Sequence, residues 1–252
     1  MQVTVIGCAG SFPGPDSPAS CYLIEHNGAS IVLDLGNGAL GSLQRHVDPA
    51  SIDAVLLTHL HVDHCIDMTS FYVFRNYHPG GALQSIPVFG PEGTAEQLAR
   101  AYGMADDTEI RSRFDFESLG DGAGGPARFE IGPFTVTTTP TVHPVESYAI
   151  RVDAGGGSVV YSGDTAPTRA LVDLALGADI ALFEASYLDG APEDAVHLSA
   201  RQAGEHAAAA EVAHLVLTHL VAWNDPTLSA EQGSSGFGRE VTLATPGLTL
   251  SI

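Results

Sequence analysis

Residues 56–64 read LLTHLHVDH: an apolar run, then three histidines and one aspartate within six positions. The whole chain of 252 residues has only 11 histidines, so this density calls for a chemical reason. Side chains alternate faces along an extended chain. His59, His61 and Asp63, spaced by two, can therefore converge on one side. His64 follows where a strand gives way to a turn or helix, and it can point into the same space. A continuous helix would splay His59 and His61 about 200° apart. Imidazole and carboxylate are suitable ligands for zinc, manganese or iron. A chance HxHxDH arises in on the order of one chain in a thousand. The stretch thus reads as a metal cluster at the end of a buried strand.

Four ligands from one loop rarely complete a two-metal site, so partners are expected at other strand ends. His143, in TPTVHP, follows a β-rich run and precedes a proline that ends it. Asp164, in VVYSGDT, follows an apolar run in a Gly-Asp turn. His219, in LVLTHL, ends another apolar strand. Each alone has a bland reading, since histidines end strands and Gly-Asp makes turns. Together with the first cluster they make seven ligands, the number that two adjacent metals need.

The surrounding sequence gives these residues a frame. QVTVIGC, CYLIEHN, SIVLDLG and IDAVLLTH read as strands in the first half. PFTVTTTPTVHP, SYAIRVDAG, SVVYSGDT, DIALFEASY, HLVLTHL and GLTLSI read as strands in the second. Residues 65–79 and 91–103 read as helices, the latter with Pro91 and Glu92 in its first turn. HLSARQAGEHAAAAEV reads as a helix capped by Ser199. GDGAGGP (120–126) is a loop too short to link domains. AVLLTHL (54–60) and HLVLTHL (214–220) echo one another, by duplication or by coincidence. With no composition break, the expectation is one domain over 1–252, two packed sheets with helices outside.

Composition narrows the function. There are 30 acidic residues against 10 basic, a net charge of −20, and no basic cluster. Nucleic-acid affinity rests largely on Lys and Arg neutralising phosphates, so a nucleic-acid partner is not expected. Three cysteines without a CxxC argue against a disulfide framework or a thiolate zinc site. MQVTVIGCAG lacks the features of a signal peptide, and no apolar run approaches a membrane span. The expected location is the cytoplasm, without a membrane partner.

THLHVDH, the lone His143, SGDT and the late LTHL resemble the metal motifs of the metallo-β-lactamase superfamily, across almost the whole chain. The resemblance implies an α+β fold, a four-layer αβ/βα metallo-β-lactamase sandwich, with two divalent cations at one edge. Zinc is the foremost candidate, with manganese or iron as alternatives. One metal would take His59, His61 and His143. The other would take Asp63, His64 and His219, with Asp164 bridging. Asp34, in VLDLGNG, matches the superfamily's early, structural aspartate. FEASYLD (183–189) and VHLSA (196–200) are similar to motifs of ribonuclease Z and related zinc phosphodiesterases. This implies that His197 assists the leaving oxygen, that Glu184 holds His197, and that Asp63 belongs to the catalytic set as well as to the ligands. The bland reading leaves Glu184 as a strand-end carboxylate and His197 as a residue before a helix.

Only 21 positions separate His143 from Asp164. The long ribonuclease Z form inserts a basic tRNA arm there, and this chain has no room for one. GCAGSFPGPDSPASCYLIE, LGNGALGSLQRHVDP, NYHPGG and HPVESYAIRV are similar to an actinobacterial group of atypical cyclic-AMP phosphodiesterases. That implies hydrolysis of a small phosphodiester, cyclic AMP to 5′-AMP, by a metal-bridging hydroxide. The alternatives are a tRNA 3′-processing endonuclease, a thioester or lactone hydrolase, and a non-catalytic metal-stabilised nucleotide-binding protein. Relatives of this kind are often homodimers. Trp223 reads equally well as a base-stacking ring and as core, and Arg75, Tyr77 and His78 as pocket lining or as a helix end.

Overall fold

The computed structural model describes residues 1–190, 192 and 196–252. The first half contributes β1 (Gln2–Gly7), β2 (Cys21–His26), β3 (Ala29–Leu33), β4 (Ala54–Leu56), β5 (Ile86–Gly90) and β6 (Phe114–Ser118). The second contributes β7 (Ala127–Ile131), β8 (Phe134–Pro140), β9 (Tyr148–Ala154), β10 (Gly157–Tyr161), β11 (Ile180–Glu184), β12 (His214–Thr218) and β13 (Thr242–Leu243). The closing strand β14 (Thr249–Ser251) returns to pair with β1. The helices are α1 (Ala39–Leu43), α2 (Val62–Cys65), α3 (Met68–Asn76), α4 (Thr94–Tyr102), α5 (Arg169–Leu174), α6 (Ala200–Ala209) and α7 (Pro226–Phe237).

Two seven-stranded sheets form, in orders β14-β1-β2-β3-β4-β5-β6 and β7-β8-β9-β10-β11-β12-β13. Each runs antiparallel through its first four strands and parallel through its last three pairings. Period-two alternation assigns residues to layers. Tyr22 and Ile24 of β2 face the core between the sheets, while Cys21 and Leu23 face the helical layer of α1, α3 and α4. Phe183 of β11 likewise meets α5, α6 and α7, while Leu182 joins the central core. This is the four-layer αβ/βα sandwich.

The two halves repeat one plan down to single hydrogen bonds. Asp34 N–H donates to Leu56 O at 2.8 Å, and Ser162 N–H to Leu182 O at 3.1 Å. Thr58 N–H donates to Asp34 Oδ1 at 2.7 Å, and Glu184 N–H to Ser162 Oγ at 2.9 Å. On this plan β4 matches β11, and β5 matches β12. The Thr-His-Leu echo therefore falls on strands that are not equivalents, and is not the trace of the repeat.

Some local expectations need correction. β4 ends at Leu56 and Asp63 lies in the first turn of α2, so the alternation of an extended chain does not reach Asp63. β8 ends at Pro140, three residues before His143. The helix expected from Pro91 begins at Thr94, because Gly93 turns the chain at φ 80°. Ser199 caps α6 as expected, in a reciprocal capping box with Gln202. Cys8, Cys21 and Cys65 are free and buried, and burial pushes the Cys65 thiol up to about 12. No described helix is long and apolar enough to cross a membrane.

Candidate metal centre

Loops from both sheets meet at one edge. The loop after β4 and the start of α2 bring His59, His61, Asp63 and His64. The loop after β8 brings His143, the turn after β10 brings Asp164, and the end of β12 brings His219. Gly163 makes the inward turn of Asp164 possible. Its φ is 55°, and a Cβ there would lie 2.8 Å from Tyr148 O, so only glycine fits. Asp34 (φ 56°) and His219 (φ 52°) also hold left-handed backbone, uncommon outside glycine and frequent at functional sites.

The donor atoms form two adjoining sets around Asp164. His59, His61, His143 and Asp164 place one ligand atom each within 4.8 Å of one another, and so do Asp63, His64 and His219. In the first set His61 Nδ1 lies 3.0 Å from His59 Nε2 and 3.3 Å from His143 Nε2, and Asp164 Oδ2 lies 3.5 Å from His59 Nε2. In the second, Asp63 Oδ2 lies 3.2 Å from His219 Nε2 and 3.5 Å from His64 Nε2. Asp164 Oδ1 reaches within 3.4 Å of His64 Nε2 and 3.5 Å of His219 Nε2. Asp164 thus turns one oxygen to each set.

Four of the five cluster histidines have the outward ring nitrogen anchored, which turns the other nitrogen toward the common space. His64 Nδ1–H donates to Asp34 Oδ2 at 2.7 Å. His59 Nδ1–H donates to Thr58 Oγ1 at 3.0 Å, and that hydroxyl donates onward to Asp34 Oδ2 at 2.9 Å. His219 Nδ1–H donates to Ser186 Oγ at 2.7 Å, and Ser186 donates to Glu184 Oε2 at 2.9 Å. His143 Nδ1–H donates to Val196 O at 3.2 Å. Such outer hydrogen bonds fix tautomer and ring orientation in metal sites.

A cation fits what remains. His64 Nε2 and Asp164 Oδ1 are buried and have no hydrogen-bond partner among the described residues, an expensive arrangement unless something else binds them. Lone pairs from several imidazoles and two carboxylates point at common space, a donor set suited to zinc or a similar divalent ion. Burial opposes the charge of Asp164, but His219, His64 and His59 outweigh it and hold the carboxyl well below its usual range. Burial and the neighbouring histidines keep His59 neutral, with its pKa well below that of free imidazole.

Glu184 and His197 stand beside this cluster. His197 Nδ1 lies 3.1 Å from both Glu184 oxygens and 3.8 Å from Asp164 Oδ2. Burial disfavours an imidazolium there, but the Glu184 carboxylate outweighs it and lifts His197 to about 9. Its Nε2 makes no hydrogen bond among the described residues and remains available to a ligand.

A match to the beta-lactamase superfamily domain spans residues 30–220, and the motifs of the centre from His59 to His219 fall inside it. The chain belongs to the metallo-β-lactamase superfamily. Within the superfamily it falls in the branch of ribonuclease Z and YhfI. An uncharacterized protein of Mycobacterium leprae (strain TN) is 41% identical over 260 residues, covering 100% of this chain and 89% of that protein. Ribonuclease Z of Mycobacterium bovis (strain BCG / Pasteur 1173P2) is 30% identical over 244 residues, covering 88% and 86%. The crystal structure of the metallo-β-lactamase fold protein YhfI from Bacillus subtilis superposes with a TM-score of 0.87 at 27% identity, covering 99% and 98%.

The superfamily motifs do not themselves reveal the supports. Thr58, Ser186 and Tyr161, whose hydroxyl donates to Asp34 Oδ2 at 2.9 Å, escape a reading aimed at ligands. Their signal is a hydroxyl within or beside a motif, in THLHVDH, FEASY and YSGDT. Arg75 is buried and donates to Gln84 O, away from the cluster. A groove of about 740 Å³ lined by Glu92, Glu96, Glu117 and Glu146, with Arg111 paired to Glu96, contains none of the seven candidate ligands, nor Glu184 or His197.

Proposed function

We propose that this metallo-hydrolase cleaves a small phosphodiester, with 3′,5′-cyclic AMP to 5′-AMP as the leading reaction. The observation that carries the reading is the Glu184–His197 pair, with Nδ1 held by the carboxylate and Nε2 open beside the ligand cluster. A thiolate leaves without protonation, so thioester hydrolysis does not call for this pair. Two divalent cations, zinc foremost, would be held by His59, His61 and His143 and by Asp63, His64 and His219, with Asp164 between them. Bound there, they would neutralise phosphate charge and acidify water.

The chain's own residues supply the rest. No arginine hydrogen-bonds or ion-pairs with the seven candidate ligands, Glu184 or His197 among the described residues, so beside the bound cations the positive charge nearest a substrate phosphate is the protonated His197. His197 Nε2 donates a proton to the leaving 3′ oxygen as its bond to phosphorus breaks and a water oxygen bonds to phosphorus; the proton that water gives up passes to solvent, from which His197 is reprotonated. Glu184 keeps the ring aimed through that transfer. Asp63 belongs to the catalytic set through its position against both His64 and His219. β9 and β10 fill the interval in which a tRNA arm would be inserted, and the net charge of −20 opposes a long polyanion. Both favour a small substrate over the tRNA precursor that the likeness to ribonuclease Z raises as the second reading.

The test is product analysis of zinc- or manganese-loaded protein with cyclic AMP. The reading expects 5′-AMP. His197→Ala should lower kcat by about 100-fold or more while metal content measured by elemental analysis stays at the wild-type level. Formation of 3′-AMP, or loss of metal from His197→Ala, contradicts the assignment.

A further inference from the structure

Trp223 is not core: it is 72% exposed, and its ring lies against Phe12, itself 41% exposed, with centroids 5.5 Å apart and planes at 39°. The two rings stand on different loops, after β12 and after β1. Leu220 N–H donates to Cys8 O at 3.0 Å and Gly10 N–H to Leu220 O at 3.1 Å. These bonds stitch the loops together beside His219, and Ser11 N lies 3.4 Å from His219 Nε2.

Backbone geometry, not packing, aims the rings. Phe12 N–H donates to Gly10 O at 2.8 Å across Ser11, whose φ is 65°. This is a γ-turn with positive φ, a strained conformation. Asn224 Nδ2 donates to Ser186 O at 2.9 Å, tying the residue after Trp223 to the serine that holds His219. Burial contributes little for rings this exposed, so the strain at Ser11 has no return in core stability. Aromatic faces beside a phosphate-binding centre are suited to a planar heteroaromatic ring, whose stacking tolerates any base identity. The two rings touch each other, so a base would stack on the exposed side of Trp223, with Phe12 bracing its other side, rather than between them.

We propose that Phe12 and Trp223 form a stacking shelf for the nucleobase of the substrate, making a base-bearing phosphodiester the preferred class at this centre. The preference rests on the phosphodiesterase reading; binding of the base can be read without turnover. Trp223 is the sole tryptophan of the chain, so its emission reports the shelf directly. Titration of zinc-loaded protein with 5′-AMP should quench that emission saturably, and ribose 5-phosphate, which has no base to stack, should leave it nearly unchanged. Phe12→Ala should weaken the 5′-AMP response about fivefold. In turnover, Trp223→Ala should lower the ratio of kcat/KM for cyclic AMP to that for base-free ribose 3′,5′-cyclic phosphate about tenfold, and Trp223→Phe should restore most of it. Equal responses to 5′-AMP and ribose 5-phosphate, or an unchanged ratio, overturn the shelf even if cyclic AMP is hydrolysed. Saturable quenching specific to 5′-AMP without hydrolysis of either cyclic substrate leaves the shelf standing and overturns the phosphodiesterase reading instead.

Discussion

Asp34 and Glu184 each govern two histidines, one by direct contact and one through a hydroxyl. Asp34 holds His64 directly and His59 through Thr58. Glu184 holds His197 directly and His219 through Ser186. This shared arrangement explains why bare nitrogens converge at the centre. It also gives Asp34 a larger part than a merely structural aspartate. Asp34→Asn keeps the volume but gives up the charge that accepts from His64, Thr58 and Tyr161. Metal affinity, measured by competition with a chelating dye, should fall ten- to a hundredfold. Unchanged affinity would mean that the histidines are oriented without it.

At the scale of elements, the strands flanking the centre were legible and several helices were not. β4, β10, β11 and β12 are short, largely apolar and almost wholly buried, and each runs into or ends in one of the motifs. Their burial and their chemistry produce signals in the same place. α7, in PTLSAEQGSSGF, carries no such signal, since glycine and serine are poor helix formers. Packing explains its composition: a Cβ on Gly204 of α6 would sit 2.3 Å from Gly233 O and 2.6 Å from Phe237 N. Small residues let α6 and α7 approach closely, and α6 in turn begins just after His197. Gly204→Ala should therefore cost about 1–3 kcal/mol, read as a lowered denaturant midpoint; an unchanged midpoint would show that the two helices can separate freely. The expectation of Asp63 on a strand fails for a related reason. His59 and His61 do converge, although both lie beyond the end of β4, but the chain turns helical at Val62, and spacing alone does not mark that change.

Across the whole molecule, the candidate ligands come from both halves of the repeated plan, four from the first sheet's loops and three from the second's. Bound metal would cross-link the two sheets at one edge, and folding would be linked to metal occupancy. Chelation should lower Tm by about 5 °C or more, reversed by zinc, as followed by calorimetry; an unaltered Tm would contradict a centre shared between the halves. On the phosphodiesterase reading the same edge admits an anion to a protein of charge −20, which locally held cations would make favourable. The most direct measurement is to incubate metal-loaded protein with cyclic AMP and, separately, with a tRNA precursor, and to resolve the products by chromatography. The account predicts 5′-AMP from the first, abolished by Asp164→Ala, and no cleavage of the second. Cleavage of the tRNA precursor with cyclic AMP left intact would contradict it.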